Sequence, residues 1–137
     1  MKSIEEPDQT AFEYGNIRYQ RPNDDGKLRI RHILAQTDFS GGSLRAVNHA
    51  MGLAKRCQAR LTLLHVFNNL ETPARGTKPA ESGQKRQNMD RAKLRLLELY
   101  NVIRAQYPNT DIQFRAGDPQ TVVPVIATLL GIDLVVI

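Results

Sequence analysis

Apolar and polar residues alternate with two different periods along most of the chain, and this pattern predicts its secondary structure. Short apolar runs of strand character are separated by longer stretches in which apolar residues recur every three or four positions. Residues 33–35, at the centre of the first run, are apolar on both faces, which is typical of a strand inside a parallel sheet. The predicted strands are IRHILAQTD (30–38), ARLTLLHVF (59–67), DIQFRA (111–116) and DLVVI (133–137).

Two amphipathic helices are predicted between the first three strands. The first covers Ser43 to Cys57, with Ser40 as its N-cap and with Cys57 as a small core-facing residue at its end. The second is the longest helical pattern, Gln84 to Tyr107, and it follows a long connection at residues 68–82.

A third helix is predicted to begin at Gly117-Asp118-Pro119 and to end at Gly131. With Asp118 as its N-cap, Pro124 lies inside the helix, where it removes one backbone hydrogen bond and bends the helix locally. With Thr121 as the cap, Pro124 would fall in the first turn, which tolerates proline. The Asp118 cap is preferred because the glycine, aspartate and proline together form a strong helix start.

The alternation of strands and helices predicts the fold class α/β: a doubly wound, open parallel sheet with helices on both faces and right-handed crossovers. The folded domain is predicted to cover residues 29–137. Residues 1–28 are polar and contain Pro7, Pro22 and Gly26. They are predicted to be an extension that is largely disordered, or loosely docked through its aromatic residues Phe12, Tyr14 and Tyr19.

Composition and charge narrow the class of protein. The chain has 137 residues, of which 41% are hydrophobic and 24% charged, as expected of one soluble globular domain. Neither a membrane-spanning run nor a secretory signal is visible, and a single cysteine fits a reducing, cytoplasmic location. Much of the net charge of +5 comes from basic residues between Arg75 and Arg95. Such a segment suits nucleic acid, but the solvated face of a helix is the favoured interpretation.

Polar corners follow three of the predicted strands: TDFSGG (37–42), VFNN (66–69) and AGDP (116–119). Ligands of open α/β sheets bind beyond the carboxyl ends of the strands, and helix N-termini suit anions. Asp38 would repel phosphate, so its carboxylate is better suited to a ribose hydroxyl or a hydrated Mg²⁺. From the residues alone, a capped turn explains the first corner equally well.

The segments HILAQTDFSGGSLRAVNHAMGLAKRCQARLTLLHVF (32–67) and AGDPQTVVPVIATLLGIDLVVI (116–137) resemble the universal stress protein family. The shared features are the Thr-Asp-Phe-Ser corner, the Ser-Leu-Arg-Ala helix start, the Leu-His-Val strand end and the Gly-Asp-Pro before the third helix. The resemblance covers residues 31–137 apart from the connection and the second helix.

This resemblance implies a Rossmann-like fold of the adenine-nucleotide alpha hydrolase type, in a family that is usually cytoplasmic and dimeric and in some members binds ATP. By position, Asp38 would contact the ribose or a Mg²⁺ ion, and the backbone of Val66 would meet the adenine edge. Gln36 and Thr37 would line the pocket, and Gly117 would contribute the third corner.

ATP-binding relatives continue after the fourth strand into a glycine-rich phosphate loop, a last helix and a last strand. The residues up to Ile137 contain no such loop, so a C-terminally incomplete domain with impaired ATP affinity is expected. Arg75 or Lys78 would replace it only in part. The apolar fourth strand is expected to form a sheet edge, covered by a second copy or by another partner.

Catalysis is not predicted. His32, His49 and His65 fit no metal-binding spacing, and no nucleophile is paired with a base. The leading functional hypothesis is therefore a stress-response or signalling module that binds adenine nucleotide. A protein-interaction module of the same fold is the alternative. A nucleic-acid binder is disfavoured by the scarcity of aromatic residues near the basic segment, and an ATP hydrolase is the least supported hypothesis.

Overall fold

The computed structural model describes residues 11–14, 17–20, 29–68 and 79–137. A parallel sheet of four strands has the order β5-β4-β3-β6, and β1 and β2 form a separate antiparallel hairpin. The predicted α/β class is confirmed. The elements are β1 (Ala11–Tyr14), β2 (Ile17–Gln20), β3 (His32–Gln36), α1 (Gly41–Cys57), β4 (Arg60–Phe67), α2 (Pro79–Gln106), β5 (Thr110–Ala116), α3 (Pro119–Leu130) and β6 (Leu134–Val136).

The β1–β2 hairpin lies in the N-terminal extension, where the sequence pattern predicts no regular element. Its two strands pair over four positions, from Ala11 opposite Gln20 to Tyr14 opposite Ile17. The rest of the extension lies outside the described residues, so its disorder stays a prediction.

The two faces of the sheet are covered by different helices. The chain moves from β3 through β4 to β5 in one direction and then returns to β6 on the other side of β3. Right-handed crossovers place α1 and α2 on one face for the outward steps and α3 on the opposite face for the return. The core divides in the same way, because Ile33 and Ala35 belong to the cluster with α1 and α2, whereas Leu34 packs with Val123 and Ile126 of α3.

The helix starts agree with the sequence pattern. The amide of Ser43 donates to Oγ of Ser40 at 3.2 Å, and the amide of Gln120 donates to Oδ1 of Asp118 at 3.1 Å. Both predicted N-caps are confirmed. Helix α3 runs through Pro124, as the Asp118 cap requires, and its local bend stays a prediction.

Two predictions about helix ends were wrong. Cys57 is exposed, because α1 ends there and the chain turns away at Gln58 in the left-handed conformation. Helix α2 begins at Pro79 instead of Gln84, since proline is well tolerated in a first helical turn. The connection is therefore shorter than expected. Residues 69–78, which include Arg75 and Lys78, lie outside the described residues.

A buried histidine joins β3 to β4 and α3 at the amino end of the sheet. Nε2 of His32 lies 2.7 Å from the hydroxyl of Thr62, and Nδ1 lies 3.2 Å from the carbonyl of Leu130. The carboxylate of Asp133 accepts hydrogen bonds from the amides of Arg31 and His32 at 2.8 and 3.0 Å. Burial lowers the pKa of His32, and the nearby Arg60 guanidinium acts in the same direction.

The lowered pKa of His32 predicts a loss of stability in mild acid. Around pH 6.5 the unfolded chain binds this proton more readily than the folded chain, so the free energy of unfolding falls as the pH drops below that value. The loss is complete once the pH is below the folded-state pKa. His32→Gln should flatten the urea-unfolding free energy between about pH 7.5 and 5. His49→Gln, at an exposed position of α1, is the control, and equal slopes for both variants would contradict the assignment.

Candidate functional site

The carboxyl end of β3 lies at the point where the strand order reverses. β3 pairs with β4 on one side and with β6 on the other. The strands that follow β3 in sequence, β4 and β5, lie on the first side, whereas the last strand, β6, lies on the second. The loops leaving the two sides of such a point diverge and open a crevice, which is where open α/β sheets bind ligands. The corner formed by residues 37–42 stands at the edge of this crevice.

Ser43 holds the corner together. Its hydroxyl donates to the carbonyl of Ser40 at 3.1 Å and lies 3.0 Å from the hydroxyl of Thr37. It also accepts a hydrogen bond from the amide of Asp38 at 3.3 Å. These bonds connect the end of β3 to the first turn of α1 and fix the direction in which the chain leaves the sheet.

The corner also contains a residue in a rarely populated conformation. Phe39 has φ of 66°, a left-handed backbone that non-glycine residues adopt at some energetic cost. Its ring lies against His65 with ring centroids 4.5 Å apart, and the guanidinium carbon of Arg95 lies 4.6 Å from the centroid of the Phe39 ring. Nδ1 of His65 is 2.7 Å from the carbonyl oxygen of Thr37. Contacts from β4 and α2 thus hold the strained residue in place.

Asp38 is exposed and ionised. Its Oδ1 atom accepts a hydrogen bond from the amide of Ser40 at 2.9 Å. Hydrogen bonds from the hydroxyl and amide of Ser40 and from Ser43 lower the pKa of Asp38 to about 2. The carboxylate therefore keeps its negative charge at any physiological pH, as a ribose or magnesium contact requires.

The backbone of Val66 faces the crevice. On the β3 side of β4, the carbonyl of Leu64 accepts a hydrogen bond from the amide of Thr37 at 2.9 Å. On the β5 side, the carbonyl of Phe67 accepts a hydrogen bond from the amide of Gly117, also at 2.9 Å. Backbone groups alternate sides along a strand, so the amide and carbonyl of Val66 point to the β3 side like those of Leu64. β3 ends at Gln36, opposite Leu64. Val66 therefore presents one donor and one acceptor beyond the end of its neighbour strand.

The remaining predicted site residues differ in how accessible they are. Gln36 is half-buried at the last position of β3, beside the crevice. Thr37 is 1% exposed, and its hydroxyl accepts the amide of Phe39 at 2.9 Å, so the side chain serves the corner and not the crevice. Gly117 has φ of 141° and closes the turn between β5 and α3. Of the predicted set, Gln36 and Asp38 lie at the end of β3, and Val66 lies on the neighbouring strand β4, two residues beyond the partner of Gln36.

Positive charge lies over the start of α1. A methyl group built on Gly41 or Gly42 would lie 3.8 or 3.9 Å from the guanidinium nitrogens of Arg45, which therefore folds over the start of α1. The first turn of α1 contains no acidic residue, so its amides and Arg45 together favour an anion there. Within the described part of the chain, no cluster of three or more His, Cys, Asp or Glu side chains is arranged to hold a metal ion.

Sequence patterns did not identify Ser43, Phe39, His65 or Arg45 as parts of the corner. The Ser-Leu-Arg spacing after a glycine pair contains a weak signal for Ser43 and Arg45, since both fall in the first turn of the helix. Nothing local indicates that Phe39 adopts a left-handed backbone. His65 was expected to have a structural role at a strand end, and its bond to Thr37 agrees with that role.

The fold is that of an open α/β sheet protein with a polar, hydrogen-bonded corner at the reversal of strand order. The family model for the universal stress protein family matches residues 29–137. The chain therefore belongs to the universal stress protein family. None of the helices in the described ranges is both long and apolar enough to cross a membrane.

Solved structures support this assignment. The chain is similar to universal stress protein UspA from Lactobacillus plantarum, with 25% identity, a TM-score of 0.70, and coverage of 80% of this chain and 77% of the other. The hypothetical protein MJ0577 is 20% identical, with a TM-score of 0.65 and coverage of 80% and 75%. A universal stress protein in complex with cAMP is 19% identical, with a TM-score of 0.57 and coverage of 80% and 77%. No curated protein matches the chain by sequence comparison.

Gly117 provides a test of the corner between β5 and α3. A side chain there would sit in a left-handed backbone, and its Cβ would lie 2.9 Å from Cγ2 of Val122. Gly117→Ala should lower the free energy of unfolding by about 1–3 kcal/mol. In Gly52→Ala the new methyl group meets no atom within 4 Å, and the helix should gain about 0.5–1 kcal/mol. Urea unfolding measures both, and equal effects would refute the argument.

Proposed function

We propose that this member of the universal stress protein family binds an adenine nucleotide in the crevice beside Asp38 and acts in stress response or signalling by binding, not by catalysis. The observation that carries the proposal is the backbone of Val66, whose donor and acceptor point past the end of β3. An adenine edge offers a complementary acceptor and donor. The cAMP complex of a similar protein shows an adenine nucleotide bound by a related fold.

Asp38 is proposed to hold the ribose, either directly or through a magnesium ion. A carboxylate that stays ionised accepts hydrogen bonds from two neighbouring ribose hydroxyls more strongly than a neutral group does. Magnesium is usually held by one or two carboxylates together with phosphate oxygens, so Asp38 alone is a suitable protein ligand when nucleotide is present. When bound, the ion would offset part of the phosphate charge.

Replacing the charge of Asp38 while keeping its shape tests this role. In Asp38→Asn the side-chain oxygen can still accept the amide of Ser40, so the corner should survive. Adenosine affinity should fall about tenfold, because a charge-assisted hydrogen bond becomes a neutral one. Any enhancement of ATP binding by magnesium should disappear. Isothermal titration calorimetry measures both effects, with Asp90→Asn on the exposed surface of α2 as the control. Unchanged adenosine affinity in Asp38→Asn would remove Asp38 from the site.

Arg45 is proposed to help bind the phosphate end of the nucleotide from the start of α1. Arg45→Gln should weaken ATP binding about three- to tenfold, with a smaller effect in high salt, and should leave adenosine binding unchanged. Arg56→Gln removes the same charge at the opposite end of α1 and is the matched control. If both variants lose ATP affinity equally, general charge and not this position is responsible.

A protein-interaction module that never uses a nucleotide is the second candidate. One observation favours it: the Asp38 carboxylate already accepts hydrogen bonds within the corner, so the corner is satisfied without a ligand. Absence of binding by adenosine, cAMP and ATP to the unaltered chain would favour this second function.

A further inference from the structure

Phe39 stands between the two residues whose hydrogen bond sets the direction of the Asp38 carboxylate. The amide of Ser40 donates to Oδ1 of Asp38 at 2.9 Å, and this bond closes a small ring of atoms around Phe39. The backbone angles of Phe39 therefore decide where the Ser40 amide points. With φ of 66°, Phe39 has a conformation that non-glycine residues rarely adopt. A return of Phe39 to negative φ would turn the Ser40 amide away from the carboxylate.

The left-handed conformation of Phe39 is maintained by contacts from outside the corner. Its half-buried ring packs against the core cluster on the α1 and α2 face, and the ring centroid lies 4.5 Å from that of His65. His65 is itself fixed, since Nδ1 donates to the carbonyl of Thr37 at 2.7 Å. The guanidinium carbon of Arg95 lies 4.6 Å from the centroid of the Phe39 ring. Strained backbone persists where surrounding contacts of this kind over-determine it.

Arg95 differs from the other contacts of Phe39 because it is exposed. A solvated surface cation is the ordinary interpretation of such a residue. A guanidinium within about 6 Å of a ring centroid is, however, attracted to the negative face of the ring. The helix that carries Arg95 is firmly seated, since the next residue, Leu96, is 1% exposed in the core cluster. Arg95 therefore reaches Phe39 from a rigid support, and its side chain can be changed without opening the core.

A second cation on α2 provides an internal comparison. Nζ of Lys93 lies 5.4 Å from the centroid of the Phe114 ring, and Lys93 is exposed like Arg95. Phe114 lies within the regular strand β5, opposite His65 of β4. Both contacts join a cation of α2 to an aromatic ring. The contact of Lys93 acts on a residue of a regular strand, whereas the contact of Arg95 acts on a strained residue next to Asp38.

We propose that Arg95 is a positioning residue for Asp38. It binds the ring of Phe39 and thereby stabilises the left-handed backbone that directs the Ser40 amide at the carboxylate. The carboxylate is then held in one direction before a ligand arrives, which lowers the ordering cost of binding. The consequence for ligand binding rests on the proposed function. The coupling of Arg95 to Asp38 does not, and it is tested without a ligand.

NMR spectroscopy of the unliganded chain tests this coupling. In Arg95→Gln the Ser40 amide proton should shift at pH 7 toward the value of a solvent-exposed amide, because its bond to Asp38 is broken in more of the molecules. The hydrogen bonds of the corner hold the pKa of Asp38 at about 2, and their loss should raise it toward its ordinary value of 3.8. The Asp38 carboxyl carbon should then begin to titrate between about pH 5 and 4, a range in which it stays ionised in the unaltered chain.

Three variants control for charge and for the identity of the ring. Lys93→Gln removes one positive charge from the same helix and should leave the Ser40 and Asp38 signals unchanged. Arg95→Lys should restore them in part, since an ammonium group also binds a ring face. Phe39→Leu keeps every charge, should reproduce the Arg95→Gln signals, and should leave Arg95→Gln without further effect. Unchanged Ser40 and Asp38 signals in Arg95→Gln, or equal changes in Lys93→Gln, would overturn the proposal.

Adenosine titration measures the consequence for binding. Adenosine is uncharged, so a weaker affinity in Arg95→Gln cannot come from a lost attraction to phosphate. The affinity should fall about two- to fivefold in Arg95→Gln, and by less than about twofold when this change is added to Asp38→Asn. Unchanged affinity together with altered Ser40 and Asp38 signals would refute a positioning role in binding. If the unaltered chain binds no adenosine, the proposed function fails, and the NMR signals alone decide the coupling.

Discussion

The last ladder bond between β3 and β4, from the amide of Thr37 to the carbonyl of Leu64, fixes where the crevice begins. One residue further on, the chain turns into the corner, so β4 continues past its neighbour. The amide and carbonyl of Val66, a residue that is 6% exposed, are therefore directed past the end of β3. Ser43 and His65 keep the turn at this position by binding the side chain and the carbonyl of Thr37. The position of the proposed ligand site is therefore a consequence of where β3 ends.

The corner combines strain with charge. A left-handed Phe39 would relax if its contacts with His65 and Arg95 were lost, and relaxation would move Asp38, the adjacent residue. The aromatic and cationic groups from β4 and α2 thus set the position of a carboxylate that they do not touch directly. Strained backbone of this kind is found where surrounding contacts over-determine the structure, as they do here.

The sequence pattern was sufficient for the parallel sheet, the three helices and the N-caps Ser40 and Asp118, because apolar periodicity and capping are local signals. It did not identify the left-handed Phe39 or the burial of Thr37, since both depend on contacts with β4 and α2 that are distant in sequence. Cys57 was wrongly predicted to face the core, because the spacing of apolar residues along a helix does not show where the helix ends. The β1–β2 hairpin was missed because its strands are short and its alternation spans only four residues each. The resemblance to universal stress proteins indicated Asp38 and Val66 as site residues. The direction of the Val66 amide and carbonyl, however, follows from the hydrogen-bond register between β3 and β4, which the sequence does not show.

The proposed function requires the Val66 backbone and Asp38 to form one binding surface for an adenine nucleoside. Chemical-shift mapping of the backbone amides during an adenosine titration tests it most directly, because the Val66 amide is itself the proposed donor. We expect a saturable shift of the Val66 amide, with the same midpoint as the shifts of residues 38–42. Saturable binding that shifts other amides and leaves Val66 unmoved would contradict it.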